Sequence, residues 1–136
     1  MKVVIDTNVI VSALLNPYGH PAEIIRLLLS GKIDLYCDQR ILSEYEEVLS
    51  RPKFQFNPEN VKTFLNEIKL IGTIVLTTPL KKSLPDIDDN MFLEVALSAN
   101  AEYLITGNSK HFPKSLCKDV MVVAPADFIN EYLEKS

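Results

Sequence analysis

The residues that could perform chemistry are acids and an amide from four separate segments of the chain. They are Asp6, Glu44, the stretch LPDIDDNMFLEVA at residues 84–96, and Asn108. Within that stretch the acids are Asp86, Asp88 and Asp89. Carboxylate and amide oxygens, without cysteine or histidine, are the ligands that suit Mg²⁺ or Mn²⁺. If the four segments converge, they would form a divalent-metal site.

Each of these residues also has an ordinary structural explanation. Asp6 could cap a helix that starts near Thr7, and a glutamate such as Glu44 is usually solvated on a helix surface. Acids at a helix N-terminus are stabilised by the macrodipole, by about 0.3–1 kcal/mol each. Asn108 follows a glycine, which is common in turns. Taken together the acids favour a site, because converging carboxylates repel one another and lose solvation when they are buried.

Helix geometry separates the three acids of LPDIDDNMFLEVA. If Asp86 is the N-cap, positions 86, 89, 93, 96 and 100 lie along one helix face. Asp88 then projects about 100° away from Asp89. We therefore expect Asp86 and Asp89 to face a common point, and Asp88 to face solvent.

Strands and helices alternate along the chain, and they must position these residues. The apolar run at residues 2–5, without polar alternation, indicates a strand that is buried on both faces of a parallel sheet. The predicted strands are residues 2–5, 33–37, 73–76, 103–105 and 120–123. The predicted helices are residues 21–30, 38–50, 58–71, 91–100 and 125–133. This order predicts an α/β three-layer sandwich, with a central parallel sheet of about five strands flanked by helices. In such folds ligands bind at the carboxyl ends of the strands.

Length and composition are typical of one folded domain, which we expect to span residues 1–136. The net charge of −4 argues against a broadly basic nucleic-acid binder, although a metal could neutralise an acidic site. Cys37 and Cys117 are far apart, which indicates a reduced protein in the cytoplasm. Polar residues interrupt the apolar N-terminus, so we expect no secretory segment. No apolar run approaches the roughly 18 residues of a membrane span.

Three blocks, in this order and at this spacing, carry a family resemblance. They are IDTNVIVSAL at residues 5–14, ILSEYEEVLSRPKF at residues 41–54, and PDIDDNMFLEVALSANAEYLITGNSKHF at residues 85–112. With them the sequence resembles the PIN-domain ribonucleases, in the VapC-like branch of toxin components of toxin–antitoxin pairs. The resemblance covers nearly the whole chain and implies a PIN-like fold.

The resemblance implies a metal-dependent endoribonuclease that hydrolyses phosphodiester bonds in single-stranded RNA. Asp6, Glu44 and Asp89 match the catalytic, metal-binding core of the family, and Asp86 is a further metal ligand or orients a bound water. The expected cofactor is one or two ions of Mg²⁺ or Mn²⁺. Polar groups expected to support these ligands or face the substrate are Thr7, Asn8, Ser12, Thr106 and Asn108. Asn108 occupies a place where the family commonly has an acid, so a second ion would be held more weakly.

The resemblance leaves the RNA-binding groups open. Candidate contacts with the RNA backbone are Lys81, Lys82, Lys110 and Lys114, with ordinary solvated lysines as the alternative. In the loop RPKFQFNP, Phe54 and Phe56 could stack on bases, but a packing role is favoured. We expect His111 to be a surface residue, and two histidines without ligand spacing do not predict a zinc site.

Two other functions compete with the ribonuclease. Asn108 leaves open a catalytically weakened PIN-fold binding module. A receiver-type phospho-acceptor signalling domain is disfavoured, because it would need paired acids after the first strand and a lysine near the end of the fifth. The expected partners are an RNA substrate and an antitoxin protein, with a homodimer and no membrane.

Overall fold

The computed structural model describes all of residues 1–136, and its centre is a five-stranded sheet in which every pairing is parallel. The strands are β1 (Lys2–Ile5), β2 (Asp34–Cys37), β3 (Thr73–Ile74), β4 (Tyr103–Ile105) and β5 (Met121–Val123). Their order across the sheet is β3-β2-β1-β4-β5. The chain therefore builds outward from β1 on one side and then crosses to the other. The switch point lies between β1 and β4, where ligands bind in folds of this kind.

Seven α-helices flank the sheet, and the predicted α/β sandwich is confirmed. The helices are α1 (Thr7–Leu15), α2 (His20–Leu29), α3 (Gln39–Leu49), α4 (Pro58–Ile71), α5 (Asn90–Ala99), α6 (Lys114–Cys117) and α7 (Pro125–Lys135). Local sequence explains several helix starts. Asp38 accepts a hydrogen bond from the Ile41 amide at the start of α3, and Asn57 accepts bonds from two amides at the start of α4.

The hydrophobic core forms one cluster of 35 buried residues. The three apolar residues that precede Asp6, Val3, Val4 and Ile5, are inaccessible to solvent, as expected for a central parallel strand. Helix α5 packs on β1, β2 and β4, and buries Phe92 and Leu93 there. Complete burial of such a side chain contributes about 1.5–3 kcal/mol. The segments next to Asp6 and Asp89, the end of β1 and the start of α5, are therefore anchored in the same core.

The predicted element boundaries differ from the observed ones where tertiary contacts decide them. Strand β3 has only two residues, because it is an edge strand with a single neighbour and Ile74 is exposed. Helix α5 ends at Ala99 because Asn100 adopts a left-handed conformation, with φ of 53°. The segment Ile87–Asp89 forms a 3₁₀ turn before α5 begins at Asn90. The short helix α6 was not predicted.

An ionic network joins α3 to α5. The Arg40 guanidinium contacts Asp38 at 2.7 Å and Glu94 at 2.8 Å, and it also donates to the Thr77 hydroxyl. The buried Glu94 carboxylate accepts a further bond from the Leu80 amide at 3.0 Å. The network thus fixes the connection after β3 to both helices. Glu44 lies on α3, and α5 begins directly after Asp89.

The aromatic loop after α3 packs on the protein itself. The Phe54 and Phe56 rings stack with centroids 5.6 Å apart, and both contact the hydrophobic core. The Lys53 ammonium lies 5.1 Å from the Phe54 ring centroid. This geometry supports the packing role over base stacking. Elsewhere, both cysteines are buried free thiols, and none of the helices has the length and apolar character needed to cross a membrane.

Candidate active site

Asp6 directly follows β1 at the centre of the sheet and is 7% exposed. It stands at the N-cap position of α1, yet its side chain makes no capping hydrogen bond. Its Oδ2 atom instead accepts from the buried Thr106 hydroxyl at 2.8 Å and from the Asn8 amide at 3.4 Å. The carboxylate is therefore held by the residue that follows β4, the neighbour of β1, and the simple capping explanation does not apply.

Glu44 is brought to Asp6 by two hydrogen bonds between α3 and the end of β1. The Thr7 hydroxyl donates to the Glu44 carboxylate. The next residue on α3, Tyr45, is fully buried and donates its hydroxyl to the Ile5 carbonyl. The two bonds involve consecutive residues of α3 and residues on either side of Asp6. They set which turn of α3 faces the carboxyl end of β1.

Asp89 completes the cluster from the 3₁₀ turn that precedes α5. Its side chain is 14% exposed, and its Oδ2 atom lies 3.2 Å from the His111 Nδ1 atom. Asp86 is exposed, and its side chain accepts from the Asp88 amide at 2.9 Å, which makes it the N-cap of the turn. Because side chains three residues apart eclipse in a 3₁₀ helix, Asp86 and Asp89 share one side of the turn.

The charges of these acids act on one another. The pKa of Asp6 is raised above its ordinary value by burial and by the charge of Asp89, although the Thr106 hydrogen bond lowers it. Burial and the charges of Asp6 and Asp88 raise the pKa of Glu44, against the Thr7 hydrogen bond. The pKa of Asp89 is raised by burial, by Asp86 and by Glu44, and lowered by His111. The acids from three segments therefore form one electrostatic unit.

Some of the polar residues expected around the cluster form hydrogen bonds that link its segments, and others have exposed side chains without such bonds. Asn8 Oδ1 accepts from the Gly107 amide at 3.0 Å, and the Asn108 amide donates to the Thr106 hydroxyl at 3.0 Å. These bonds tie the start of α1 to the turn after β4. The Asn108 side chain is exposed and makes no hydrogen bond within the chain. Ser12 is exposed on α1, and its hydroxyl bonds to none of the site residues.

Two residues, Asp88 and His111, affect the acids of the cluster in ways that the sequence does not indicate. Asp88 is exposed, as expected, but its charge still raises the pKa of Glu44, so it borders the cluster. A helical projection describes the direction of a side chain, whereas the charge of an exposed carboxylate also acts on groups that it does not face. His111, expected at the surface, is half-exposed and contacts Asp89. No pattern in the sequence indicates that pairing, since the two residues are 22 positions apart.

The donor set fits a divalent cation of the hard, oxygen-preferring kind. Asp6, Glu44 and Asp89 offer carboxylate oxygens only, and neither Asp6 nor Glu44 forms an ion pair with a lysine or arginine. A cation would offset the repulsion that raises their pKa values. As they stand, no three acidic, histidine or cysteine side chains form a metal-binding group.

The fold and the site together define a parallel α/β protein with a cluster of interacting acids at the carboxyl end of its central strand. Residues 2–110 match the family model described as PIN domain, and the chain belongs to this family. PIN domains are generally nucleases, and they typically use divalent metal ions.

Two individual proteins resemble this chain over most of its length. Uncharacterized protein MJ1680 of Methanocaldococcus jannaschii is 32% identical in an alignment 143 positions long, which spans 97% of this chain and 92% of that protein. The solved structure of VapBC2 from Rickettsia felis, bound to a DNA fragment from their promoter, matches with a TM-score of 0.59. That match is 15% identical and covers 91% of this chain and 98% of that one, and it shows likeness of fold.

Replacing Tyr45 with phenylalanine tests how α3 is held. The change removes the hydroxyl that bonds the buried Ile5 carbonyl. We expect the free energy of unfolding in urea to fall by about 1–3 kcal/mol. Tyr132→Phe is the matched control, because that hydroxyl makes no hydrogen bond, and we expect a change within about 0.5 kcal/mol. Equal effects of the two substitutions would contradict the proposed role of the Tyr45 bond.

The raised pKa of Asp6 predicts how stability depends on pH in metal-free solution. A carboxyl whose pKa is higher in the folded protein stabilises the fold below its unfolded pKa, near 3.8, and loses that contribution as pH rises through the folded value. We therefore expect Asp6→Asn to be more stable than the wild type at pH 7, with the difference vanishing below pH 3.8. Thermal unfolding across this range in EDTA measures it.

The control is Asp127→Asn, which replaces an exposed acid in the first turn of α7. Such an acid stabilises its helix through the macrodipole, so the control should be less stable than the wild type at pH 7. A loss of stability at pH 7 in both variants would mean that Asp6 acts as an ordinary helix-terminal acid.

Proposed function

We propose that this protein is a metal-dependent endoribonuclease that hydrolyses single-stranded RNA, and that it is the toxin of a toxin–antitoxin pair. The observation that carries the proposal is the convergence of Asp6, Glu44 and Asp89, whose pKa values are all raised by burial and by neighbouring acids. Such a cluster is costly for folding, and a bound cation would offset that cost. Membership of the PIN-domain family supports nuclease activity.

The toxin assignment is supported by the sequence resemblance and by the fold that the chain shares with VapBC2. It brings further proposals with it. The chain acts as a single domain in the cytoplasm, forms a homodimer, and is neutralised by an antitoxin protein. The RNA substrate is part of the same proposal.

In this function Asp6, Glu44 and Asp89 hold Mg²⁺ or Mn²⁺ between the end of β1, α3 and the start of α5. The chemistry that such an ion supplies is activation of water at neutral pH and neutralisation of charge on the reacting phosphate. Thr106 and Asn8 orient the Asp6 carboxylate, and Thr7 orients that of Glu44. Fixing ligands in this way tunes their affinity for the ion. Asp86 lies at the edge of the cluster and either joins the ligands or orients water.

His111 and Asn108 have distinct places in this proposal. The His111 ring restrains Asp89 through the contact at 3.2 Å, so that this carboxylate keeps one orientation. The exposed Asn108 side chain offers a neutral oxygen where a fourth acid would give a charge. A single tightly held ion follows, with any second ion bound only in the presence of substrate phosphate.

Asn108 also favours the second candidate, a PIN-fold binding module with weakened catalysis. Its amide removes one negative charge from the expected ligand set. This candidate keeps RNA binding and gives slow or no cleavage. Rate measurements distinguish the two functions directly.

The test is cleavage of an unstructured RNA labelled at one end, in Mg²⁺ and separately in Mn²⁺. We expect cleavage that EDTA abolishes and that Asp6→Asn or Asp89→Asn reduces by at least about 10²-fold, because each removes a charged ligand. Asp127→Asn, far along the chain on α7, should cleave like the wild type. Absence of cleavage together with absence of metal binding by calorimetry would contradict the function, and cleavage that survives both substitutions would contradict the site.

A further inference from the structure

Five lysines gather around α6, on two grooves that meet at one residue. The first groove, of about 630 Å³, is lined by Lys110, Lys114 and Lys118. The second, of about 380 Å³, is lined by Lys81, Lys82 and Lys118. The lysine surface is the name used below for these five residues. Two segments far apart in sequence, the connection after β3 and the segment around α6, therefore form one continuous surface.

The charges of the lysine surface are uncompensated. None of its five lysines takes part in an ion pair, whereas Arg40, Arg51 and Lys135 elsewhere in the chain do. Asp119 is the only acid that lines either groove. In a chain whose net charge is −4, this makes a local concentration of positive charge. Such a concentration attracts polyanions.

The other groups in the second groove suit a phosphate backbone. The hydroxyl-bearing residues Thr78, Ser98 and Ser115 line it beside Lys81 and Lys82. Ammonium and hydroxyl groups are common contacts to phosphate and sugar oxygens. No aromatic side chain lines this groove, and the one in the first groove, Phe112, is buried. The surface therefore suits contact with the backbone rather than stacking on bases.

Lys118 has a strained backbone where the two grooves meet. Its φ and ψ angles are 50° and −120°, in a region that glycine adopts and that is costly for residues with a side chain. The exposed Lys118 side chain makes no hydrogen bond within the chain that would explain the strain. Backbone strain indicates a functional role when the strained residue lies in a binding groove. Here the strained residue is a lysine that lines both grooves.

The first groove reaches the acidic cluster through the 3₁₀ turn Ser109–His111. Lys110 and Ser109 line the groove, while the adjacent His111 contacts Asp89. Consecutive residues of one turn therefore border the groove and the acidic cluster.

We propose that the lysine surface binds backbone phosphates of single-stranded RNA away from the cleaved bond, with Lys118 as the residue shared by both grooves. The proposal rests on the proposed ribonuclease function and assigns the path of its substrate. Since only the backbone is contacted, binding along this path is independent of base sequence. An acidic protein segment is the other polyanion that such a surface could take, and the experiment separates the two.

The experiment measures RNA binding in EDTA, so that cleavage plays no part. The triple variant Lys81→Ala, Lys82→Ala and Lys118→Ala is compared with the matched control Lys32→Ala, Lys62→Ala and Lys69→Ala, which loses the same charge at exposed positions outside both grooves. The probe is a fluorescent unstructured RNA of about 20 nucleotides, followed by anisotropy. We expect the first variant to bind on the order of tenfold more weakly than the control, with a salt dependence reduced by about 2 in log–log slope.

A single substitution guards against misfolding of the triple variant. Lys118→Gly relieves the backbone strain, so it should unfold at a higher temperature than the wild type and still bind the RNA more weakly. Equal RNA binding by the triple variant and its control would overturn the proposal. So would loss of binding to a polyglutamate peptide with unchanged binding to RNA, which would instead indicate an acidic protein partner.

Cleavage measurements separate this proposal from the proposed function. In Mg²⁺ or Mn²⁺, we expect the triple variant to have a raised KM for the long RNA and unchanged cleavage of an RNA of about four nucleotides, too short to reach the grooves. A wild type that binds RNA through the lysine surface and cleaves none would overturn the ribonuclease function and support the binding path. Cleavage of both RNAs with wild-type KM in the triple variant would overturn the path and leave the ribonuclease.

Discussion

The bond from the Tyr45 hydroxyl to the Ile5 carbonyl, beside that from Thr7 to Glu44, is the constraint on which the site depends. Acids from different segments repel one another, so packing alone would favour an arrangement that separates them. These two bonds join α3 to the end of β1 on either side of Asp6. The Tyr45 bond is fully buried and cannot be replaced by water. The fold can therefore hold Glu44 close to Asp6 without a cation present.

The remaining supports of the cluster follow the same principle. Thr106, directly after the strand next to β1, holds Asp6. The Arg40 network ties α3 to α5 and to the connection that precedes α5. The uncompensated charges of Asp6, Glu44 and Asp89 lower the stability of the fold, as the raised pKa values of these three carboxyls indicate. Charged side chains that are held close together against their mutual repulsion are typical of functional sites. None of the lysines of the lysine surface forms an ion pair with these acids, which leaves the acids available for a cation.

Much of the fold could be predicted from the sequence, because it depends on local patterns. Apolar runs identified the buried strands β1 and β4, and Asp38 and Asn57 identified helix starts through their capping chemistry. The pairing of His111 with Asp89 and the role of Tyr45 could not be predicted, because each joins residues distant in sequence. The effect of Asp88 on Glu44 could not be predicted either, because it depends on the distance between two segments that are far apart in sequence. The sequence indicates four of these lysines as separate candidates for RNA contacts, Lys81, Lys82, Lys110 and Lys114. Their arrangement around Lys118 depends on how α6 packs.

We propose that the acids after β1, on α3 and in the turn before α5 form one cation site. Anomalous diffraction from crystals grown with Mn²⁺ is the decisive measurement, because it locates the metal without reference to activity. We expect a strong peak bordered by the carboxylates of Asp6, Glu44 and Asp89, and the loss of that peak in Asp6→Asn. Mn²⁺ bound only at other acids, or a peak that persists unchanged in Asp6→Asn, would contradict it.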